Sequence, residues 1–299
     1  VGLHYSGGTK PMAVHVYRAI EQRFPDGVFS YLDARTLSLR VDSRGKPTKS
    51  IPVGHSCTVN LAELVSLHGY NKPTIRRTPF QPNLCRSLVE ALAKRNAIEE
   101  WQKWCRESKC QSLPDVSQYP LLQKARLAFD TLCGEPATPE LVAQHLGRKS
   151  LKQCSKWLIG EWLEEYVLWA ITQIADVCGI GDNYSVDLKL KRPKGHEFQL
   201  DVAAIRGYQL FAISCMASER KEKCKEHLLE AYVRARQIGG DEARVGLVCC
   251  YHDPDALQHE VEETWFTEGR VQVFGMKDLP DLPERLKAWF ETANASLEV

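Results

Sequence analysis

An α/β chain of two units is the fold this sequence predicts, and three observations carry the prediction. At 299 residues the chain is long enough for two separate cores. Short strand-like apolar runs alternate with stretches of helical periodicity along most of its length. The second half then sets a helix, three strands, a helix and a strand in succession, a layered pattern with one sheet. A composition of 43% apolar and 26% charged residues is that of an ordinary globular chain. No apolar run approaches the 18 residues of a membrane span, and no signal peptide is visible at the start.

The elements follow in order. Val1-Gly2-Leu3-His4-Tyr5 reads as a strand, a Gly-rich loop follows, and Lys10 to Arg23 reads as a helix. One strand and one helix cannot bury their own faces, so upstream strands are expected and the chain is expected to be a fragment. Strand-like runs follow at 27–33 and 37–41, then a Ser43-Arg44-Gly45-Lys46-Pro47 turn. Residues 57–67 lead to a His68-Gly69-Tyr70 stop, residues 71–83 carry three Pro and form a loop, and helices lie near 84–109. A polar linker, 110–120, precedes a helical unit in which Thr138 and Pro139 supply an N-cap and a first-turn proline. A long amphipathic helix runs from Ser150 to about Cys178. Strands are expected at 184–190, 197–206 and 208–215, a helix at 219–238, a strand at 243–251, a helix at 255–265, a strand at 270–275 and a helix at 278–294. The domain boundaries expected are 1–95, 96–149 as a helical connector, and 150–299.

Charge is uneven. Residues 1–95 hold 14 Lys/Arg and 6 Asp/Glu, a net +8, and the remainder nets −7. A basic front half suits an anionic ligand such as a nucleotide, or is simply a solvated face. The eleven Cys are scattered, and Cys105-x4-Cys110 is too wide for a zinc knuckle and lacks a partner pair. A reducing, cytoplasmic setting is the simple reading. The nine His show no metal-ligand spacing; His196, just before the central strand, is the one to watch.

Four segments carry candidate chemistry. Ser6-Gly7-Gly8-Thr9-Lys10-Pro11-Met12 joins a strand to a helix, where backbone N–H groups, the Thr9 hydroxyl and the Lys10 ammonium could hold a phosphate; it is not a Walker loop. The alternative is an ordinary strand-to-helix turn. Glu164 and Glu165 are adjacent on the long helix and point about 100° apart, so one can face a site while the other meets solvent. Trp162, Tyr166 and Trp169 on that helix read as core. Asp201 sits on a strand apolar on both sides, where a carboxylate is costly unless something positive holds it; a divalent metal is the expected partner, with Gln199 as a neutral donor. On the returning strand Ser214 and Met216 share a face and Cys215 points the other way, into the core. In Ser218–His227, Lys221 and Lys225 share one helical face and Glu222 and Glu226 another; either pair could serve the site or form a solvated ladder.

Taken together, Ser6-Gly-Gly-Thr-Lys-Pro-Met12, Gly160-x-Trp-Leu-Glu164 and Asp201 on a hairpin resemble the CRISPR-associated nucleases that join a CARF (CRISPR-associated Rossmann fold) sensor to a PD-(D/E)XK domain. The resemblance covers nearly the whole chain and implies a truncated Rossmann-like sensor, a helical connector and an αβββαβ nuclease-type domain. It implies a homodimer that binds cyclic tetra-adenylate through Ser6, Gly7, Gly8, Thr9 and Lys10. It implies a Mn2+- or Mg2+-dependent endonuclease acting on single-stranded RNA or DNA, with Glu164 and Asp201 on the metal. The family's Glu and Lys fall on Ser214 and Met216, neither of which matches, so a displaced Lys221 or Lys225 is expected to complete an active site. A non-cleaving sensor or nucleic-acid-binding scaffold is the second reading, and a ring nuclease that degrades its own activator is the third.

Overall fold

The computed structural model describes residues 1–7, 9–33, 38–53, 58–193, 195, 197–265, 267 and 269–294. It divides into two compact units, 1–59 with the last residues of the chain, and 60–293. The division falls at 59/60. Residues 60–95, grouped by the sequence reading with the first domain, pack with the second unit, because their apolar helix face (Leu84, Leu88, Val89, Leu92) joins its core.

The first unit holds β1 (Gly2–His4), α1 (Lys10–Arg23), β2 (Val28–Asp33), β3 (Ser38–Ser43) and β4 (Lys49–Pro52) in one sheet of that strand order. β1 and β2 are parallel across α1, and β2, β3 and β4 are antiparallel. Among the described residues β1 pairs with β2 alone. Gly45, at φ +70°, lets the chain reverse between β3 and β4. The apolar centre is small. Tyr5, Tyr17, Phe29 and Tyr31 form an aromatic cluster with centroids 4.4–5.6 Å apart. Met12, Val14 and Val16 on α1 are exposed.

The second unit opens with α2 (Leu61–Leu67), whose Asn60 and Glu63 form a reciprocal capping box. Helices α3 (Pro82–Leu92), α4 (Ala97–Ser108), α5 (Gln123–Cys133) and α6 (Pro139–His145) follow. Thr138 Oγ1 caps α6 as its sequence predicts, accepting from the Leu141 N–H. The stretch 150–178 is not one α-helix. A 3-10 segment at Leu151–Cys154 passes into a π-helical turn at Trp157–Glu161 and then into α7 (Trp162–Ile174). The wide turn lets the Trp162 N–H reach Trp157 O, five residues back, and buries both indoles. This turn sets the phase in which Glu164 and Glu165 leave the helix.

The five-stranded sheet has the order of the sequence: β5 (Tyr184–Lys191), β6 (Glu197–Arg206), β7 (Gln209–Met216), β8 (Arg244–Cys249) and β9 (Val271–Phe274). β5, β6 and β7 are antiparallel; β7, β8 and β9 are parallel, joined through α8 (Lys221–Gly239) and α9 (Pro254–Trp265). α10 (Leu282–Asn294) closes the unit. α7, then β5–β6–β7, α8 and β8 reproduce the order read from the sequence. The core joins α3, α4, α5 and α7 to Val202, Ala204, Phe211 and Ile213 on one face of the sheet. Among the described residues no helix is long and apolar enough to cross a membrane.

Candidate functional site

The site begins where β6 and β7 part. Their last paired residues are Val202 and Ile213. Beyond that pair Asp201 turns its carboxylate into the gap, and Oδ2 accepts from the Cys215 N–H at 2.9 Å and from Ser214 Oγ at 3.1 Å. Both donors fall on Oδ2, and Oδ1 takes no hydrogen bond from the described residues. Burial raises the Asp201 pKa. The Cys215 N–H, Ser214, His227 and Arg234 pull it back without cancelling the rise.

Glu164 stands on α7. Burial and then the negative charges of Asp201, Glu161, Asp187 and Glu165 push its pKa up to about 9. Asp201 is the first of the acids that act on it, so the two carboxylates lie within electrostatic reach of each other. Asp187 is the member that sequence reasoning missed. It stands on β5 between the pairs Val186–Val202 and Leu188–Leu200, which sets it across from Asp201. Asp187 takes a left-handed φ of +51°, and Lys189 Nζ lies 3.1 Å from its Oδ2. The signal was present: Val186-Asp187-Leu188, like Leu200-Asp201-Val202, puts an acid within an apolar strand.

Glu165 does not meet solvent, contrary to the expectation for one of the adjacent pair. It is buried, and Arg76 donates to it through both guanidinium ends at 2.7 and 3.0 Å. The Phe80 N–H donates to the same carboxylate at 2.7 Å. Glu165 thus pins the proline-bearing segment 76–80 against α7. Glu165→Ala should destabilise the second unit by about 2 kcal/mol, the scale for unpairing a buried donor beside a half-exposed cation. A lower urea midpoint reads it out.

The remaining candidates are placed differently. Ser214 lies beside Asp201 and lines a cavity of about 90 Å³ with His227, Glu230 and Arg234 of α8. Cys215 packs against the core, and burial keeps its thiol protonated, so it is no nucleophile. Lys221 and Lys225 do not turn toward Asp201. Both bind Glu260 of α9, Lys225 at 2.6 Å, and together they lower the Glu260 pKa to about 2. At 100° per residue their helix face is not the one that carries His227, Ala231 and Arg234 to the sheet. The α8 side chains that share a cavity with Asp201 thus include His227 and Arg234, where the sequence reading looked for lysines. Arg234 is held by Gln199 O at 3.1 Å and by Glu230.

In the first unit Ser6 Oγ accepts from the Leu32 N–H at 2.5 Å, tying the loop to β2. Thr9 caps α1, its Oγ1 accepting from the Met12 N–H at 3.5 Å. Lys10 is the first residue of α1, and Gly7 has open space where a Cβ would stand. Gly8 and His196 lie outside the described residues.

The donors around Glu164 and Asp201 are oxygens, the chemistry a hard cation such as Mg2+ or Mn2+ takes, often through one or two carboxylates and water. Their raised pKa values mark carboxylates gathered without a compensating cation. Among the described residues no group of three His, Cys, Asp or Glu is arranged to hold a metal ion by itself. Two protein carboxylates are the set that fits.

No family model and no curated protein matches this chain. Solved structures do. Protein VC1899 from Vibrio cholerae superposes with a TM-score of 0.64 at 17% identity, over 98% of this chain and 76% of that one. Can2 from Sulfobacillus thermosulfidooxidans, solved in complex with cyclic tetra-adenylate, superposes with a TM-score of 0.64 at 18% identity, over 97% of this chain and 74% of that one. Across nearly its whole length, the chain has the fold of these two proteins.

Proposed function

We propose that this chain is a cyclic-oligoadenylate-responsive CRISPR ancillary protein whose second unit is a metal-dependent endonuclease for single-stranded nucleic acid. The observation that carries the reading is the buried Asp201 carboxylate at the parting of β6 and β7, held there by Ser214 and the Cys215 N–H, with Glu164 of α7 driven up to about 9 by burial and by Asp201 first among the neighbouring acids. Carboxylates so placed stay ionised only beside a cation. A divalent ion held by Glu164 and Asp201, with Asp187 nearby, would supply Lewis acidity toward a phosphoryl oxygen.

The protein's own residues do the rest. Ser214 and the Cys215 N–H fix the Asp201 rotamer through Oδ2. Arg234 supplies positive charge on the α8 side of Asp201, in place of the family's lysine. In the first unit, Ser6, Gly7, Gly8, Thr9 and Lys10 hold phosphates of cyclic tetra-adenylate in a homodimer, the reading the resemblance implies and the fold shared with Can2 supports. Lys10→Ala should weaken cyclic tetra-adenylate binding about tenfold, the scale of one charged hydrogen bond; calorimetry measures it.

A second reading, a sensor that binds but does not cut, is favoured by Ser214 and Met216 and by the engagement of Lys221 and Lys225 with Glu260. Incubation with cyclic tetra-adenylate, Mn2+ and single-stranded RNA or DNA separates the two. Cleavage sustains the first, and binding without cleavage sustains the second. Loss of the cyclic ligand itself would mark a ring nuclease.

A further inference from the structure

Beside the acid cluster, within the second unit, lies a cleft of about 540 Å³. Its walls are the segment held by Glu165, including Arg76 and Phe80, the turn after α6 with Arg148, and the helical run from Leu151 with Lys156, Trp157 and Glu161. Gly147, at φ +68°, turns the chain sharply, and the Arg148 N–H returns to Ala143 O at 2.8 Å. Arg148, Lys149, Lys152 and Lys156 thereby collect on one short stretch, and all four are exposed.

Three features separate this surface from a solvated basic face. Among the described residues none of the four cations has a carboxylate within 4.0 Å, so their charge is not neutralised by an ion pair. Phe80 presents its ring at 38% exposure on a backbone fixed by Glu165. The cleft is also lined by Glu161 and Glu165, on the helical run that carries Glu164. Glu161 lines it and helps raise Glu164 three residues on, and Arg76 in its wall lies in the field of Asp187 and Glu164. Lys156 and Glu164 are about 12 Å apart along the helical run. Unpaired cations tracking a backbone beside an exposed aromatic ring are the means by which proteins hold single strands. The volume is that of a small-ligand pocket.

We infer that this cleft seats the single strand on one side of the cleaved bond, its phosphates on Arg148 and Lys156 and a base on Phe80. The proposal deepens the nuclease reading and rests on it for the direction of the strand. Its test reads binding alone, in the full chain with EDTA, using short fluorescein-labelled oligodeoxythymidylate and oligouridylate. Arg148→Ala/Lys156→Ala should weaken binding at least about tenfold and lower the slope of log K against log salt by about 1.4, at roughly 0.7 per phosphate lost. Phe80→Leu should weaken it about tenfold, within the range for one stacked base, with the slope unchanged. Wild-type affinity and slope in the double variant would overturn the seat. A duplex that binds more tightly than the single strand and loses as much would overturn the single-strand assignment. Loss of binding in the variants, in a protein that never cleaves with Mn2+, would uphold the seat and remove the nuclease reading.

Discussion

Asp201→Asn is expected to abolish Mn2+-dependent cleavage of single-stranded substrates, with a loss of at least about a hundredfold to a thousandfold, the scale for removing one preorganised electrostatic group. Asparagine fits the same space. Its amide oxygen can still accept from Ser214 Oγ and the Cys215 N–H, so the gap between β6 and β7 stays filled. What disappears is the negative charge that would hold the ion and that presses on Glu164. The measurement is initial rate against Mn2+ concentration with both substrates, alongside a melting curve to establish that the fold is unchanged. A variant that cuts like the parent would place the chemistry elsewhere. The complementary change, Ser214→Glu with Met216→Lys, should raise cleavage. Position 214 already touches Asp201 at 3.1 Å, so a carboxylate there adds a donor to the same site, and position 216 follows on the same strand face.

Metal-free protein is expected to lose stability as pH rises, and Glu164 is the principal cause. Its pKa stands at about 9 in the folded chain against an ordinary 4.5. Between those two values the folded state keeps a proton that the unfolded chain has released. Unfolding therefore becomes easier with each pH unit, by at most about 1.4 kcal/mol and by less at a half-buried site that water screens. Asp201, raised by burial, adds in the same direction. Glu164→Gln removes the proton exchange. It should stabilise the metal-free protein at pH 8, leave it little changed at pH 5, and flatten the melting temperature between them. Mn2+ favours the ionised carboxylates, so its stabilising effect on the parent should grow from pH 6 to pH 8 with release of protons, and should shrink in the variant. A melting temperature independent of pH from 6 to 8.5 in EDTA would contradict the account.

Much of this molecule was legible in its residues because local rules act over short distances. The strand at residues 2–4, the helix at 10–23 and the succession from α7 to β8 follow from periodicity and from punctuation by Gly and Pro, as does the cap at Thr138. Asp201 stood out because a carboxylate inside an apolar strand demands a partner wherever the strand goes. Glu164 was legible as one of two adjacent acids on the helix before the three strands, but its phase was not. The π-helical turn at Trp157–Glu161 arises from burying two indoles five residues apart, a packing demand that no local propensity encodes. That turn sends Glu164 to the acids and Glu165 to Arg76. The choice between cations on α8 was likewise tertiary. Lys221, Lys225, His227 and Arg234 all lie on one helix, and only its packing between the sheet and α9 sends the lysines to Glu260 and the other two toward Asp201. Sequence determined which side chains could carry the chemistry, because residue type sets charge and donor capacity. Tertiary structure decided which of them meet, because burial and helix phase depend on contacts between residues far apart in the chain.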